Sequence, residues 1–183
     1  MDKELASRFA LNNTIAGSES VKKCPPLNIV LYEPEIAANT GAVGRTCVGL
    51  GAKLWLVEPL GFQIDNRKLK RAGLDYWTYL EWEIVPCWTI LKKRLSETNE
   101  VDESELRYYY FSKNAKQNYD AVSYQLGDAF VFGSESRGLP TSFIEDGERA
   151  LRIPISPKIR SLNLSVSVAL ASYEARRQLR FYE

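Results

Sequence analysis

An alternation constrains this chain more than any other feature: six short, apolar, β-rich runs separated by segments of helical or mixed character. The runs are Leu27–Tyr32, Lys53–Val57, Glu83–Pro86, Arg107–Phe111, Ala129–Phe132 and Leu151–Ile155. Between and after them lie Gly41–Leu50, Arg67–Ala72, Trp88–Glu97, Thr141–Glu145 and Leu162–Arg180. Short, nearly continuous apolar runs suit strands buried on both faces, and strands that alternate with helices fold as β-α-β units. The pattern predicts an α/β domain, a mainly parallel sheet with helices on both faces. Ser96–Glu105 reads as an acidic-polar surface loop.

At 183 residues the chain suits one domain. We place it at residues 27–183, after a flexible N-terminal extension over residues 1–26 that carries a short helical stretch near Leu5 to Leu11 and ends at Cys24-Pro25-Pro26. That polar extension has no continuous apolar core, so it does not read as a signal peptide. No apolar run approaches the roughly 20 residues that span a bilayer. The three cysteines, Cys24, Cys47 and Cys87, form no CxxC pair, which disfavours a disulfide framework or a structural zinc site and fits a reducing, cytoplasmic setting. Histidine is absent, which removes Ser-His-Asp and Cys-His nucleophiles, imidazole bases and His-ligated metals together. With 24 Lys and Arg against 23 Asp and Glu, bulk charge announces no nucleic-acid partner; such binding would need local patches.

In open parallel sheets, ligands sit where strands end and loops begin. Three such places stand out. After Leu27–Tyr32 comes Glu33-Pro34-Glu35-Ile36-Ala37-Ala38-Asn39-Thr40-Gly41, then Arg45. Asn39 or Thr40 can cap the helix. Val43, Cys47 and Leu50 share one helical stripe facing the sheet, and Arg45 lies about 200° round from Val43, projected outward. A cation near a helix N-terminus opposes the dipole, a local conflict found at functional sites, although a solvated surface arginine has the same pattern. The second place is Phe132-Gly133-Ser134-Glu135-Ser136-Arg137-Gly138-Leu139-Pro140, a two-glycine loop without the Gly-Lys-Ser/Thr ending of a phosphate-binding loop. The third joins Arg152-Ile153-Pro154-Ile155 to Ser161-Leu162-Asn163-Leu164-Ser165, where free backbone groups, hydroxyls and an amide meet at a helix start. Ser and Asn there are also ordinary caps.

Taken together and in this order, the three blocks resemble the three motifs of the SPOUT-class RNA 2′-O-ribose methyltransferases, and most closely the small TrmL-type members that modify the wobble nucleotide of tRNA. Glu58-Pro59-Leu60-Gly61-Phe62, Arg71-Ala72-Gly73-Leu74-Asp75-Tyr76 and Ala121-Val122-Ser123-Tyr124 match further segments of that subgroup, and the likeness runs from about Leu27 to Leu179. The resemblance implies a C-terminal deep trefoil knot, S-adenosyl-L-methionine as cofactor, a homodimer, tRNA as partner, and no metal. By position it assigns cofactor contacts to Phe111, Gly133, Glu135, Ile153, Ile155, Ser161 and Leu162, the catalytic arginine to Arg45, and a polar place near the reacting centre to Asn163. Asn39 and the cluster Arg67, Lys68, Lys70 and Arg71 are the expected RNA contacts, with Arg176, Arg177 and Arg180 as a second basic group.

The implied reaction moves a methyl group from a sulfonium to a ribose 2′-oxygen, so the protein's work is alignment and removal of one proton. Arginine stays protonated in proteins, so Arg45 is expected to steady the developing alkoxide and hold a phosphate. The helix from Leu162 is apolar on more than one face (Val166, Val168, Ala169, Leu170, Ala171), which predicts burial on two sides, by a core and by a knot or dimer interface. Motifs for cofactor and catalysis do not choose between the wobble position, another tRNA or rRNA nucleotide, or a non-catalytic RNA-binding module of the same fold. The joint presence of Arg45, Glu135, Ser161 and Asn163 speaks against the last.

Overall fold

The computed structural model describes residues 24–63, 75–145 and 149–181. Seven strands form one sheet: β1 Asn28–Tyr32, β2 Lys53–Val57, β3 Trp82–Val85, β4 Tyr108–Phe111, β5 Gln117–Asn118, β6 Ala129–Phe132 and β7 Ala150–Arg152. Their order is β3-β2-β1-β6-β4-β7-β5 and every pairing is parallel. Among the described residues, three α-helices accompany them: α1 Ala37–Leu50, α2 Trp88–Asn99 and α3 Leu164–Leu179.

The apolar runs become strands because both of their faces are covered. In β1 and β2, Ile29, Leu31, Leu54 and Leu56 join one core with Val43, Cys47 and Leu50 of α1 and Leu164, Val168, Ala171 and Ala175 of α3. Val30, Trp55 and Val57 point the other way, into a core with Leu91 and Leu95 of α2. The mainly parallel sheet with helices on both faces is as the alternation implied. Asn28 sits fully buried inside this apolar strand, and its amide is satisfied: it accepts from Trp55 Nε1 at 2.9 Å and donates to the Gly127 carbonyl at 3.0 Å and to Asn99 Oδ1 at 3.1 Å.

Register positions the site. Leu31 is level with both Leu56 and Phe132, and Phe132 with Phe111, so β1, β2, β6 and β4 end along one edge. Strand order reverses between β1 and β6, since the chain runs β1-β2-β3 outward to one side and builds the rest on the other. That crevice is a topological switch point, where parallel sheets take ligands.

Several boundaries differ from the sequence expectation. The last strand stops at Arg152 rather than Ile155, because Pro154 cannot donate to a ladder. Helix α1 begins at Ala37, a full turn before Gly41, so neither Asn39 nor Thr40 caps it. Arg45 is therefore in the helix's third turn, and the proposed conflict with the dipole at the N-terminus disappears. The Ser96–Glu105 loop is the end of α2 followed by a short 3₁₀ turn, Glu103–Glu105, with a capping box between Asp102 and Glu105. Thr141–Glu145 contains only a 3₁₀ turn, Thr141–Phe143. The Arg67–Ala72 segment and the N-terminal helical stretch lie outside the described residues.

Candidate active site

The loops that follow β1 and β6 are stitched to each other. The Glu135 carboxylate accepts from the backbone N–H of Glu35 at 2.9 Å and of Ile36 at 3.3 Å, and from Asn39 Nδ2 at 2.9 Å. Helix α1 has no side-chain cap of its own on Ile36. The first N–H groups of a helix have no internal partner and favour negative charge. Glu135 brings that negative charge from a loop distant in sequence and binds the N–H groups of Glu35 and Ile36, immediately before the helix. The return stitch runs the other way: Glu35 accepts from the Ser136 N–H at 3.0 Å and the Ser136 hydroxyl at 2.6 Å, bonds that hold its carboxyl below the usual range. Arg137 adds an ion pair to Glu33 at 2.8 Å.

The third block joins through asparagine. Because Asn39 gives its NH₂ to Glu135, its Oδ1 faces the opposite way and accepts from Asn163 Nδ2 at 2.9 Å. Asn163 Oδ1 in turn accepts from the Ser165 N–H at 2.8 Å and the Ser165 hydroxyl at 2.7 Å, which caps α3. Glu135, Asn39 and Asn163 thus form one line of hydrogen bonds across three sequence-distant blocks. The cap reading of Asn163 is borne out, and the same side chain also reaches Asn39.

Glycine closes the second loop. Gly138 has φ of 71° and donates its N–H to the Ser134 carbonyl at 2.8 Å. Gly133 faces that closure so closely that an added Cβ would lie 2.0 Å from the Gly138 carbonyl carbon. No side chain fits there.

Arg45 projects outward from α1, as the helical phase required. Its guanidinium carbon sits 4.7 Å from the centroid of the Tyr76 ring, and the Tyr76 hydroxyl donates to the Gly41 carbonyl at 2.7 Å. The ring is thereby fixed to α1 and holds the cation on its face, a contact of about 0.5–1 kcal/mol when exposed. Ala38, Ala42, Thr46, Gly49 and Tyr173 complete a groove around Arg45. Tyr76 was within a matched segment of the sequence, but nothing in spacing assigned it a role; 31 positions separate it from Arg45, and only the fold joins them.

The remaining expected cofactor residues divide by what they offer. Phe111 is buried at the end of β4, its ring stacked on Phe132 at 4.5 Å. Ile153, Ile155 and Leu162 are half-buried and Ser161 is exposed. None of these four makes a backbone hydrogen bond to the described residues. Open N–H and C=O groups beside half-covered apolar side chains suit a ligand with an apolar ring and polar edges, which fits an adenosyl group. Arg67, Lys68, Lys70 and Arg71 lie outside the described residues. Of the second basic group, Arg177 is committed to Glu174 by two contacts of 2.8 Å and Arg176 lies over Tyr173. Among the described residues, no helix is long and apolar enough to cross a membrane, and no group of three or more His, Cys, Asp or Glu could hold a metal.

An open parallel α/β sheet with its polar web at the switch point defines the class: a protein that binds a nucleotide-like ligand at the carboxyl ends of its strands. Comparison with known proteins narrows this. The SpoU rRNA Methylase family model matches residues 26–173. A tRNA (cytidine(34)-2′-O)-methyltransferase of Escherichia coli (strain K12) is 43% identical over 155 residues, covering 84% of this chain and 94% of the relative. A solved structure described under the 2-OH methylation of C/U34 on tRNA superposes with a TM-score of 0.75 at 38% identity, over 85% of this chain and 97% of that one. The SpoU methyltransferase AviRb from Streptomyces viridochromogenes, solved in complex with AdoMet, shares the fold with a TM-score of 0.70 at 15% identity, over 88% of this chain and 62% of that one. The chain belongs to the SpoU methylase family.

Proposed function

We propose that this protein is an S-adenosylmethionine-dependent enzyme that methylates the ribose 2′-hydroxyl of the wobble nucleotide in tRNA. The observation that carries the reading is the Glu135–Asn39–Asn163 line, which brings the three motif blocks to one crevice on the helix that carries Arg45. The E. coli relative, similar over nearly its whole length, acts at position 34 by name.

When bound, the cofactor supplies an activated methyl group and a thioether leaving group. Phe111, Gly133, Glu135, Ile153, Ile155, Ser161 and Leu162 would hold it, largely through backbone atoms, on apolar walls that keep water from the reacting centre. The Arg45 guanidinium stabilises negative charge as it develops on the 2′-oxygen; the hydroxyl proton leaves to a neighbouring phosphate or to water. Asn163, its amide oriented by Asn39, offers a fixed polar group beside that oxygen.

The same reading takes the segment from β7 to α3 as a trefoil knot around these loops, residues 27–183 as the catalytic domain, and the cytoplasm as its place. It also takes the protein as a homodimer. Val166, Leu170 and Tyr173 follow one another along α3 and are 46%, 41% and 49% exposed, continuous with the Arg45 groove; a second copy covering them would bury an otherwise wet apolar stripe.

Incubation with isotopically labelled S-adenosylmethionine and total tRNA, followed by mapping of the labelled nucleotide, tests the reading. Label on the 2′-oxygen of the first anticodon residue is expected. Label only at other tRNA positions, or none in tRNA while a parallel incubation labels rRNA, would overturn the assignment of substrate.

A further inference from the structure

The near-neutral net charge of this chain conceals a sharp local imbalance. From Leu106 to Tyr119 there is no Asp or Glu, and none from Arg149 to Tyr173, whereas these two stretches hold seven cations. Both stretches surround adjacent strands, since β4 pairs with β7 and β7 with β5. Arg107 and Arg149 precede β4 and β7 and are occupied there, Arg107 by Asp128 at 2.9 Å and Arg149 with the Leu106 carbonyl at 3.5 Å. Of the other five, Lys113 follows β4, Lys116 lies in the same connection just before β5, Arg152 ends β7, and Lys158 and Arg160 lie in the loop that leads from β7 to Asn163. All five are exposed, and none forms an ion pair with a described residue. In sequence, the nearest carboxylates are Asp120 and Glu148, each four positions from one of the five.

The cations are presented on ordered turns. The Ser112 hydroxyl accepts the Asn114 N–H at 3.2 Å and the Ser112 carbonyl accepts the Ala115 N–H at 3.2 Å, which shapes the turn carrying Lys113 and Lys116. The Ser156 hydroxyl and carbonyl accept from Lys158 and Ile159 at 3.3 and 3.2 Å, shaping the turn that carries Lys158 and Arg160. Arg152 is steadied by Asn118 Oδ1 at 2.9 Å. Arg160 precedes Asn163 by three residues, so this basic rim runs directly into the site. Unpaired cations fixed on rigid turns are what a chain of phosphates selects.

We propose that Lys113, Lys116, Arg152, Lys158 and Arg160 form a phosphate-gripping rim that holds the RNA strand flanking the modified nucleotide. This rests on the tRNA reading above and adds residues to those the sequence offered at Arg67–Arg71 and Arg176–Arg180. The rim positions the strand and contributes affinity without reading sequence.

The test compares wild type with the fourfold variant Lys113→Gln, Lys116→Gln, Lys158→Gln, Arg160→Gln. A charge-preserving variant, Lys113→Arg, Lys116→Arg, Lys158→Arg, and an α2 control, Lys93→Gln, accompany it. Binding of bulk tRNA is measured from 50 to 300 mM salt, and S-adenosylmethionine affinity by calorimetry. Each lost phosphate contact lowers the slope of log K against log salt by roughly 0.7–0.9. The fourfold variant is expected to lose a slope of about 3–3.5 and to bind tRNA tenfold or more weakly at low salt, with unchanged cofactor affinity. The charge-preserving and control variants should track wild type. A fourfold variant that binds tRNA with the wild-type slope and affinity, while wild type methylates tRNA, overturns the rim and leaves the functional reading standing. A wild-type protein that neither binds nor methylates tRNA overturns both.

Discussion

Replacing Gly133 by alanine puts the hardest local demand on this structure. The new Cβ would stand 2.0 Å from the Gly138 carbonyl carbon, 2.2 Å from the Leu139 nitrogen and 2.3 Å from the Gly138 oxygen. Carbon contacts settle near 3.5–4 Å, so the two limbs of the loop must part by more than ~1 Å. The obstructing atoms are backbone and cannot rotate aside. Parting them breaks the Gly138-to-Ser134 hydrogen bond and carries Glu135 away from the start of α1, where its carboxylate accepts three bonds. One neutral bond at about 1 kcal/mol and three half-exposed charge-assisted bonds, partly replaced by water, sum to about 3 kcal/mol. In a chain of this size that lowers Tm by about 6–12 °C. A loop displaced by more than ~1 Å should also weaken S-adenosylmethionine binding by tenfold or more. Thermal unfolding and calorimetric titration read the two effects separately. A variant with Tm within 2 °C of wild type and cofactor affinity within twofold would refute the argument that this closure shapes the pocket.

Arg45→Ala should abolish methyl transfer while cofactor affinity, by titration, stays within a few fold, because the guanidinium touches Tyr76 and the groove rather than the motif loops. Asn163 separates by chemistry: Asn163→Asp keeps the oxygen that caps α3 and should lose less Tm than Asn163→Ala, which forfeits the cap at about 1 kcal/mol and 2–4 °C; both should impair transfer, since neither donates to Asn39. Asp128, buried beside Arg107, has its carboxyl pushed by burial from 3.8 up to about 6, against the pull of the Gln125 N–H and Arg107. The folded state then holds this proton more tightly than the unfolded chain. The resulting stability is full below pH 4 and lost as pH rises through 6, so the difference in unfolding free energy between wild type and Asp128→Asn should fall by up to ~3 kcal/mol from pH 4 to 7 in denaturant melts.

The sheet and its cores were legible because burial on both faces leaves a direct mark: unbroken apolar strands, and the Val43-Cys47-Leu50 stripe that set the phase of Arg45. What the sequence hid was tertiary supply. Helix α1 starts at Ala37 on Ile36, which has no capping side chain, while Glu135, nearly a hundred positions away, holds the Glu35 and Ile36 N–H groups just before it; the local cap signal at Asn39 and Thr40 pointed past the true start. Asn39 instead spends its amide between Glu135 and Asn163. Two-residue strands such as β5 carry no period to detect, and Tyr76 reaches Arg45 only through the fold. The basic rim was written in the sequence as two stretches without a carboxylate, but its meaning depended on β4, β7 and β5 being neighbours.

Calorimetric titration with S-adenosylmethionine and with its demethylated product asks the central question most directly: whether the junction of the three motif loops is a methyl-donor pocket. The account predicts saturable heat for both ligands in wild type, retained in Arg45→Ala and lost or weakened tenfold in Gly133→Ala. A folded wild-type protein that releases no heat with either ligand would contradict it.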